Sequence, residues 1–422
     1  MSKLSVVVSA PCDTYSGYGA RARDIVKGLL RNERLDVKIL NQRWGNTRTG
    51  FLKDHNETEL ASKVVFNLDK QPDIWIQITV PNEFQPVGKY NIGITAGIET
   101  TVCDPSWIQG VNRMNLNLVS SNHSKKVFEE SKFTATDERT RQQTVVQLES
   151  KVEVLFEGVD VSKYFSESSN AFDLSSIEES FCFLFVGHWL QGNIGHDRKN
   201  VGYMIKSFLE TFKNKAKAPA LIMKVSHGPA SILDYDRMSQ KIDSIRKTVK
   251  GKLPNIYIIH GDLSDEEMNQ LYNNPKVKSM ISFTKGEGFG RPLLEFSMVK
   301  KPIIASAWSG QTDFLSPDFA KLLPGTLHNV DNSAAVKNVI LPESQWFQPD
   351  DAIVGKTLKD MFKNQKKYLG EAKQLAFRNK NEFSLEAMVE KLNFIVDENT
   401  SHLAIQQEVV LPKLDLPTLN KV

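Results

Sequence analysis

Two acidic residues set the chemistry this chain can attempt. In FTKGEGFGRPLLEFSMVKKPIIASAWSGQTDFL (residues 283–315), Glu287 and Glu295 stand with seven residues between them, and Gly288 and Gly290 closely follow the first. A glycine turn lets backbone N–H groups, here those of Gly288, Phe289 and Gly290, approach an anion unobstructed. A helix beginning near Arg291 adds the partial positive charge of its N-terminus, which suits a diphosphate. From that helix Glu295 can accept hydrogen bonds from vicinal hydroxyls, as a ribose presents them. Glu287, held on the turn, can do the same for the hydroxyls of a sugar. A surface helix with an acidic first turn would carry the same pair, so other residues must corroborate it.

Two further stretches do. HDRKN (196–200) follows the apolar run FCFLFVGH, which ends in His188. Arg198 and Lys199 therefore lie beyond the C-terminal end of a strand, where open α/β sheets bind ligands. Two cations there neutralise a diphosphate and stabilise it as it departs; a solvated basic loop is the plain alternative. SGYGARAR (16–23) opens the first helix, and Gly17, Tyr18 and Gly19 offer a close approach to phosphate or sugar. This run also looks like a dinucleotide fingerprint. Against that, PCDTYS separates the first strand from the glycines, and the second strand ends in Asn41 rather than an acid. A dehydrogenase is the poorer reading.

The elements that must position these residues alternate short apolar runs with helical periodicity, the pattern of parallel sheets with crossover helices. LSVVVSA (4–10), DVKIL (36–40), DIWIQITV (73–80), YNIGITAG (90–97), NLNLVSS (115–121) and VEVLFEGVD (152–160) make one series. After the serine-rich stretch 162–180, read as a linker, FCFLFVGH, ALIMKVS (220–226), NIYIIHG (255–261), VKSMISF (277–283) and KPIIAS (301–306) make a second. The expected division is two doubly wound α/β domains, over 1–175 and 176–385, and a C-terminal helix with an extended tail over 386–422.

The 422 residues carry 53 basic and 50 acidic side chains, a net charge of +3, unlike a nonspecific nucleic-acid binder with a strongly basic domain. Cys12, Cys103 and Cys182 are scattered and form no metal-ligand pair; they read as core fillers in a reducing compartment. The start, Met-Ser-Lys followed by a strand, has no signal-peptide pattern, and no run nears the roughly 20 apolar residues of a membrane span. The expectation is a cytoplasmic protein without a membrane partner.

KGEGFGRPLLE resembles the E-x7-E signature of retaining GT-B glycosyltransferases, family 4 in particular. GITAGIETTVCDPSWIQGVNRMNLNLVSSNHSKKVF, VEVLFEGVDVSKYF, LFVGHWLQGNIGHDRKNVGYMIKSF and HGDLSDEEMNQLY are similar to further stretches of that family in the same order, across most of residues 1–395. The resemblance implies an α/β fold of two doubly wound Rossmann-like domains facing across a cleft, the C-terminal helix and tail packing back toward the first domain. It implies sugar transfer from a nucleotide sugar, UDP- or GDP-linked, with retention and without a metal. Glu287 would contact the donor sugar, Glu295 the ribose, Lys199 and Arg198 the diphosphate. Glu99 would sit beside the reacting carbon, and Gly17, Gly19, Gly288, Phe289, Gly290 and Arg291 around the donor. Two positions depart from the family: His188 stands where an Arg is usual, and Glu157 where many relatives have a His.

The chain is also similar to glycosyltransferases of large tailed phages, some of which decorate hydroxymethylated cytosine, and its Lys and Asn usage fits an AT-rich source. That implies 5-hydroxymethylcytosine in double-stranded DNA as acceptor and the host cytoplasm as location. Arg21 and the loop NQRWGNTRTGFLK (41–53), with Arg43, Trp44 and Arg48, would lie on the acceptor side, since cations and aromatics suit a phosphate backbone with a stacked base. A surface glycan or polysaccharide is the alternative acceptor, and a GT-B module that binds without turnover the alternative class.

Overall fold

The computed structural model describes residues 3–136, 139–167, 171–228 and 231–403. β-Branched apolar runs buried on both faces form two all-parallel sheets. The first has seven strands in the spatial order Val64–Val65, Leu35–Asn41, Leu4–Ala10, Ile74–Ile78, Tyr90–Thr95, Leu116–Val119, Lys151–Val154. The second has six: Ile256–Ile259, Ala220–Ser226, Cys182–His188, Val277–Ser282, Ile303–Ser306, Lys321–Leu323. In each the strand order reverses once, beside Leu4–Ala10 and beside Cys182–His188. A doubly wound sheet opens a crevice at the carboxyl ends of its strands at such a point. The loops predicted to do chemistry leave from those ends.

Helices cover both sheets. Gly17–Leu30, capped by Ser16 whose hydroxyl accepts from the Gly19 amide, lays Ala22, Ile25, Val26 and Leu29 on the first sheet. The last helix, Leu385–Thr400, follows the second sheet in sequence yet packs on the first helix of the N-terminal half. Met388, Val389, Leu392, Ile395 and Val396 join the N-terminal core, and the Asn393 amide donates to the Gly28 carbonyl at 3.0 Å. The final helix thus ties the two halves together. The expected tail beyond it, 404–422, lies outside the described residues.

The serine-rich stretch predicted as a linker is partly structural. Tyr164, Leu174 and Ile177 are buried in the second core, and the Lys276 ammonium donates to the Leu174 and Ile177 carbonyls. Three apolar residues among many serines are enough to pin it. Two antiparallel hairpins were not anticipated: Phe133–Thr136 with Gln143–Val146, and Gly325–Asn329 with Gln345–Pro349. All three cysteines are free and buried.

Candidate functional site

The carboxyl ends of the two sheets meet. After Val277–Ser282 the chain turns through Gly286–Gly290 into the helix Arg291–Ser297, with Gly290 at a φ of 99°, left-handed backbone that glycine adopts without strain. From the first sheet, Ala96–Glu99 faces this turn. A Cβ on Gly286 would stand 1.9 Å from the Glu99 carbonyl oxygen, and one on Gly288 2.1 Å from that of Ala96. Ser120 donates to the Gly288 carbonyl at 3.0 Å. Bare backbone is therefore what allows the halves to touch.

Around this contact lies a buried ion cluster. The Lys199 ammonium is bonded to one oxygen of Glu287, and the Arg198 guanidinium lies 3.3 Å from the other. Arg198 also donates to the Gly286 carbonyl at 3.0 Å and reaches within 3.7 Å of Glu99 across the domain boundary. Burial works against the Glu287 carboxylate, but Lys199 and Arg198 outweigh it and hold its pKa below the ordinary value. Burial of Glu99 raises its pKa, opposed by Arg198. The loop bearing the cations rests on buried polar groups. Asp197 accepts from the Val201 amide at 3.0 Å, and Asn200 and Lys285 both donate to the Gln348 side chain. Burial brings the Lys285 ammonium down to about 8.

Glu295 lies one helical stretch away, 8 % exposed. Arg291 pairs with it at 3.0 Å and with Asp24 of the first helix at 2.7 Å. Burial raises the Glu295 carboxyl to about 7, with Arg291 opposing. Glu157, for which sequence offered no role, is half-buried near Arg21 and Arg291; removal from solvent raises its pKa and those two cations oppose the rise. This carboxylate stands between cations of both halves, a pairing legible only once the fold brings Arg21 and Arg291 to it.

Other expected residues are placed as follows. Gly17 has open space where a Cβ would be, whereas a Cβ on Gly19 would strike the Thr14 carbonyl at 2.4 Å, so its own loop requires that glycine. The Tyr18 hydroxyl bonds Thr95 at 2.9 Å and accepts from the Ala96 amide, and Trp44 stacks on its ring at 3.9 Å between centroids. The Phe289 side chain is in the core against Phe314, which leaves only its backbone facing the turn. His188 ends its strand and bonds Ser226 at 3.0 Å. Arg43 is exposed on the 41–53 loop; Arg48 pairs with Asp54 at 2.6 Å. Arg21 is not on an acceptor surface: its guanidinium is buried and donates to the Leu155 and Phe156 carbonyls. The resemblance put Arg21 on the acceptor side, but it lies on the inner face of its helix.

Among the described residues no group of three or more His, Cys, Asp or Glu side chains is placed to hold a metal ion, and no helix is long and apolar enough to cross a membrane.

No protein-family model matches the chain, and neither does any curated protein. Solved structures do. Sucrose-phosphate synthase from Thermosynechococcus elongatus superposes with a TM-score of 0.62 at 11% identity, over 94% of this chain and 100% of that one. Anabaena HepE in complex with UDP-glucose gives 0.62 at 10% identity with the same coverage. A glycosyltransferase from Rickettsia africae gives 0.60 at 14% identity over 96% of this chain and 100% of that one. At such identities the likeness concerns the fold, which is GT-B: two Rossmann-like halves meeting at the carboxyl ends of their sheets.

Proposed function

We propose that this chain is a retaining glycosyltransferase using a nucleotide-sugar donor, a UDP-hexose in the first instance. The observation that carries the reading is the Lys199–Arg198–Glu287 cluster at the glycine turn, opposed by Glu99 at the point where two Rossmann-like sheets face each other. The UDP and UDP-glucose bound in structural neighbours support the choice of donor.

In this reading Lys199 and Arg198 release part of their hold on Glu287 to the diphosphate, and Glu287 turns to the hexose hydroxyls. The acceptor oxygen bonds to the anomeric carbon, the bond from that carbon to the β-phosphate oxygen breaks, and the acceptor's proton passes to the departing phosphate on the same face. The protein supplies position and charge stabilisation. Glu295 receives the ribose hydroxyls once Arg291 yields it. No metal takes part in this scheme, and turnover in the presence of EDTA tests that.

For the acceptor, a glycan hydroxyl is favoured by how the arginines are engaged: Arg21 and Arg23 donate to buried carbonyls and Arg48 pairs with Asp54. A phosphate backbone needs free cations along its track. The second reading, 5-hydroxymethylcytosine in duplex DNA, is supported by exposed Arg43 beside Trp44. The test is nucleotide release from UDP-, GDP-, ADP- and TDP-sugars, with and without hydroxymethylcytosine DNA. Donor hydrolysis or transfer establishes the class; release stimulated by that DNA, with one sugar mass added to the base, selects the second acceptor. Absence of both hydrolysis and donor binding would refute the proposal and favour a module without turnover.

A further inference from the structure

The strands of the second sheet are parallel, so the loops that enter them open together on the face opposite the glycine turn. The seven-residue strand Cys182–His188 puts about 20 Å between the two ends. Lysines gather on that far face. KNKAK (213–217) leads into Ala220–Ser226, KTVKGK (247–252) into Ile256–Ile259, and Lys300 with Lys301 into Ile303–Ser306. KNQKK (363–367) runs over the end of the helix Asp351–Asn364. We propose that this lysine face docks the phosphate backbone of duplex DNA without regard to sequence. The proposal is independent of the glycosyltransferase reading: a duplex held here tethers the protein and leaves the cleft free.

Contacts between the loops make the face continuous. The Lys252 amide donates to the Asn214 side chain at 2.9 Å, and the Asn214 amide to the Lys252 carbonyl at 2.8 Å. The Ala220 amide donates to the Phe181 carbonyl at 3.0 Å, and the Phe181 ring meets Phe362 edge-on at 5.0 Å between centroids. Phe181 and Phe362 share a hollow of about 450 Å³ with Lys278, Lys363, Lys366 and Lys367. From Ile256–Ile259 to Ile303–Ser306 the row crosses four strand spacings, about 19 Å. That exceeds the roughly 12 Å width of a major groove, so phosphates of both strands are within its span.

The cations are free. Lys215, Lys217, Lys250, Lys252, Lys363 and Lys366 are exposed, and none pairs with a carboxylate among the described residues. Several acids of this face are engaged already: Glu210 with Lys213, Glu179 with Asn255 and Tyr257, Asp360 with Asn364 and Tyr368. A helix dipole favours a cation within its last turn, which accounts for Lys213 and Lys363 but not for the lysines beyond them. In a chain of net charge +3 this is a local excess. Like charges crowd here: burial and the nearby Lys278 bring the Lys301 ammonium down to about 7. Unpaired cations in a row are what a phosphate track requires.

The kind of polyanion follows from what the loops lack. They carry no exposed large apolar side chain, so nothing enters a bilayer or stacks on an unpaired base. No arginine stands in these runs, and lysine meets phosphate as a point charge without reading base edges. Their amide side chains are held within the face, Asn364 donating to Asp360 and Gln365 to the Lys278 carbonyl. Little is left to recognise the 2′-hydroxyls of RNA.

The test uses the full chain and a fluorescent DNA duplex of about 20 base pairs, with anisotropy read from about 50 to about 200 mM salt. The duplex should bind, a second of unrelated sequence should bind alike, and log affinity should fall linearly with log salt. K215Q/K217Q/K363Q/K366Q should weaken binding about tenfold or more and reduce the salt slope by roughly 3 to 4, near 0.9 for each lost phosphate contact. K215R/K217R/K363R/K366R should keep the binding. Melting temperature and UDP-glucose binding should match the parent in both variants. No DNA binding at about 50 mM salt would overturn the proposal. So would binding unchanged in the Lys→Gln variant, which would put the track elsewhere on the chain. Preference for phosphatidylserine vesicles, or for duplex RNA of equal length, would overturn it in favour of a membrane or of RNA. DNA binding lost in the Lys→Gln variant, with no UDP-glucose binding by the parent, would keep this face and sink the proposed activity instead.

Discussion

Lys199→Ala is the sharpest perturbation of the ion cluster. The Lys199 side chain is 13% exposed and that of Glu287 9%, so their contact is little screened by solvent. Removing a charge-assisted hydrogen bond in such a setting costs about 1.5–3 kcal/mol. If Lys199 transfers that contact to the departing diphosphate, kcat/KM should fall roughly 10- to 150-fold, at about 1.4 kcal/mol per decade. The assay is UDP release across a UDP-glucose titration, with thermal melting as the control for folding. Lys199→Arg keeps the charge and should recover part of the loss. Because Lys199 and Glu287 touch, Lys199→Ala with Glu287→Ala should lose less than the two single effects together. A Lys199→Ala enzyme that keeps its melting temperature and stays within about twofold of the parent rate would refute the role assigned to the cluster.

Three further outcomes follow from the same geometry. Gly288→Ala places a Cβ 2.1 Å from the Ala96 carbonyl, so the halves cannot meet as they do here; turnover should collapse and the radius of gyration rise, whereas a compact, active variant would show that this contact is dispensable. Glu295, held up at about 7 by burial, keeps its proton in the fold over a range where the unfolded chain has lost it. Between its ordinary 4.5 and about 7, stability from this group therefore falls as pH rises, and Glu295→Gln should flatten that slope in melts from about pH 5 to about pH 7.5; an unchanged slope would contradict the burial argument. Leu392→Ala removes a fully buried side chain where the last helix meets the helix Gly17–Leu30 in the N-terminal core; it should destabilise the chain by about 2–5 kcal/mol in denaturant unfolding, and a loss under about 1 kcal/mol would mean the helix is not the tie described.

Much of this was legible in the amino-acid order. Parallel strands buried on both faces read as unbroken apolar runs, so LSVVVSA, FCFLFVGH and ALIMKVS declare themselves, and the glycine turn between Glu287 and Glu295 declares a place where backbone must come close. Local chemistry writes these features, and they survive into the fold. What tertiary structure alone decided are relations between residues far apart in the chain. Which face of a helix turns inward sent Arg21, expected on the acceptor side, to carbonyls more than 130 residues away. Three apolar anchors turned the serine-rich stretch into part of the second core, since burial is paid for by a few large side chains and not by average composition. Glu157 and Glu99 gained their cations only when two sheets brought opposite ends of the sequence together. Charge interactions act through space and burial, and neither quantity is written along the chain.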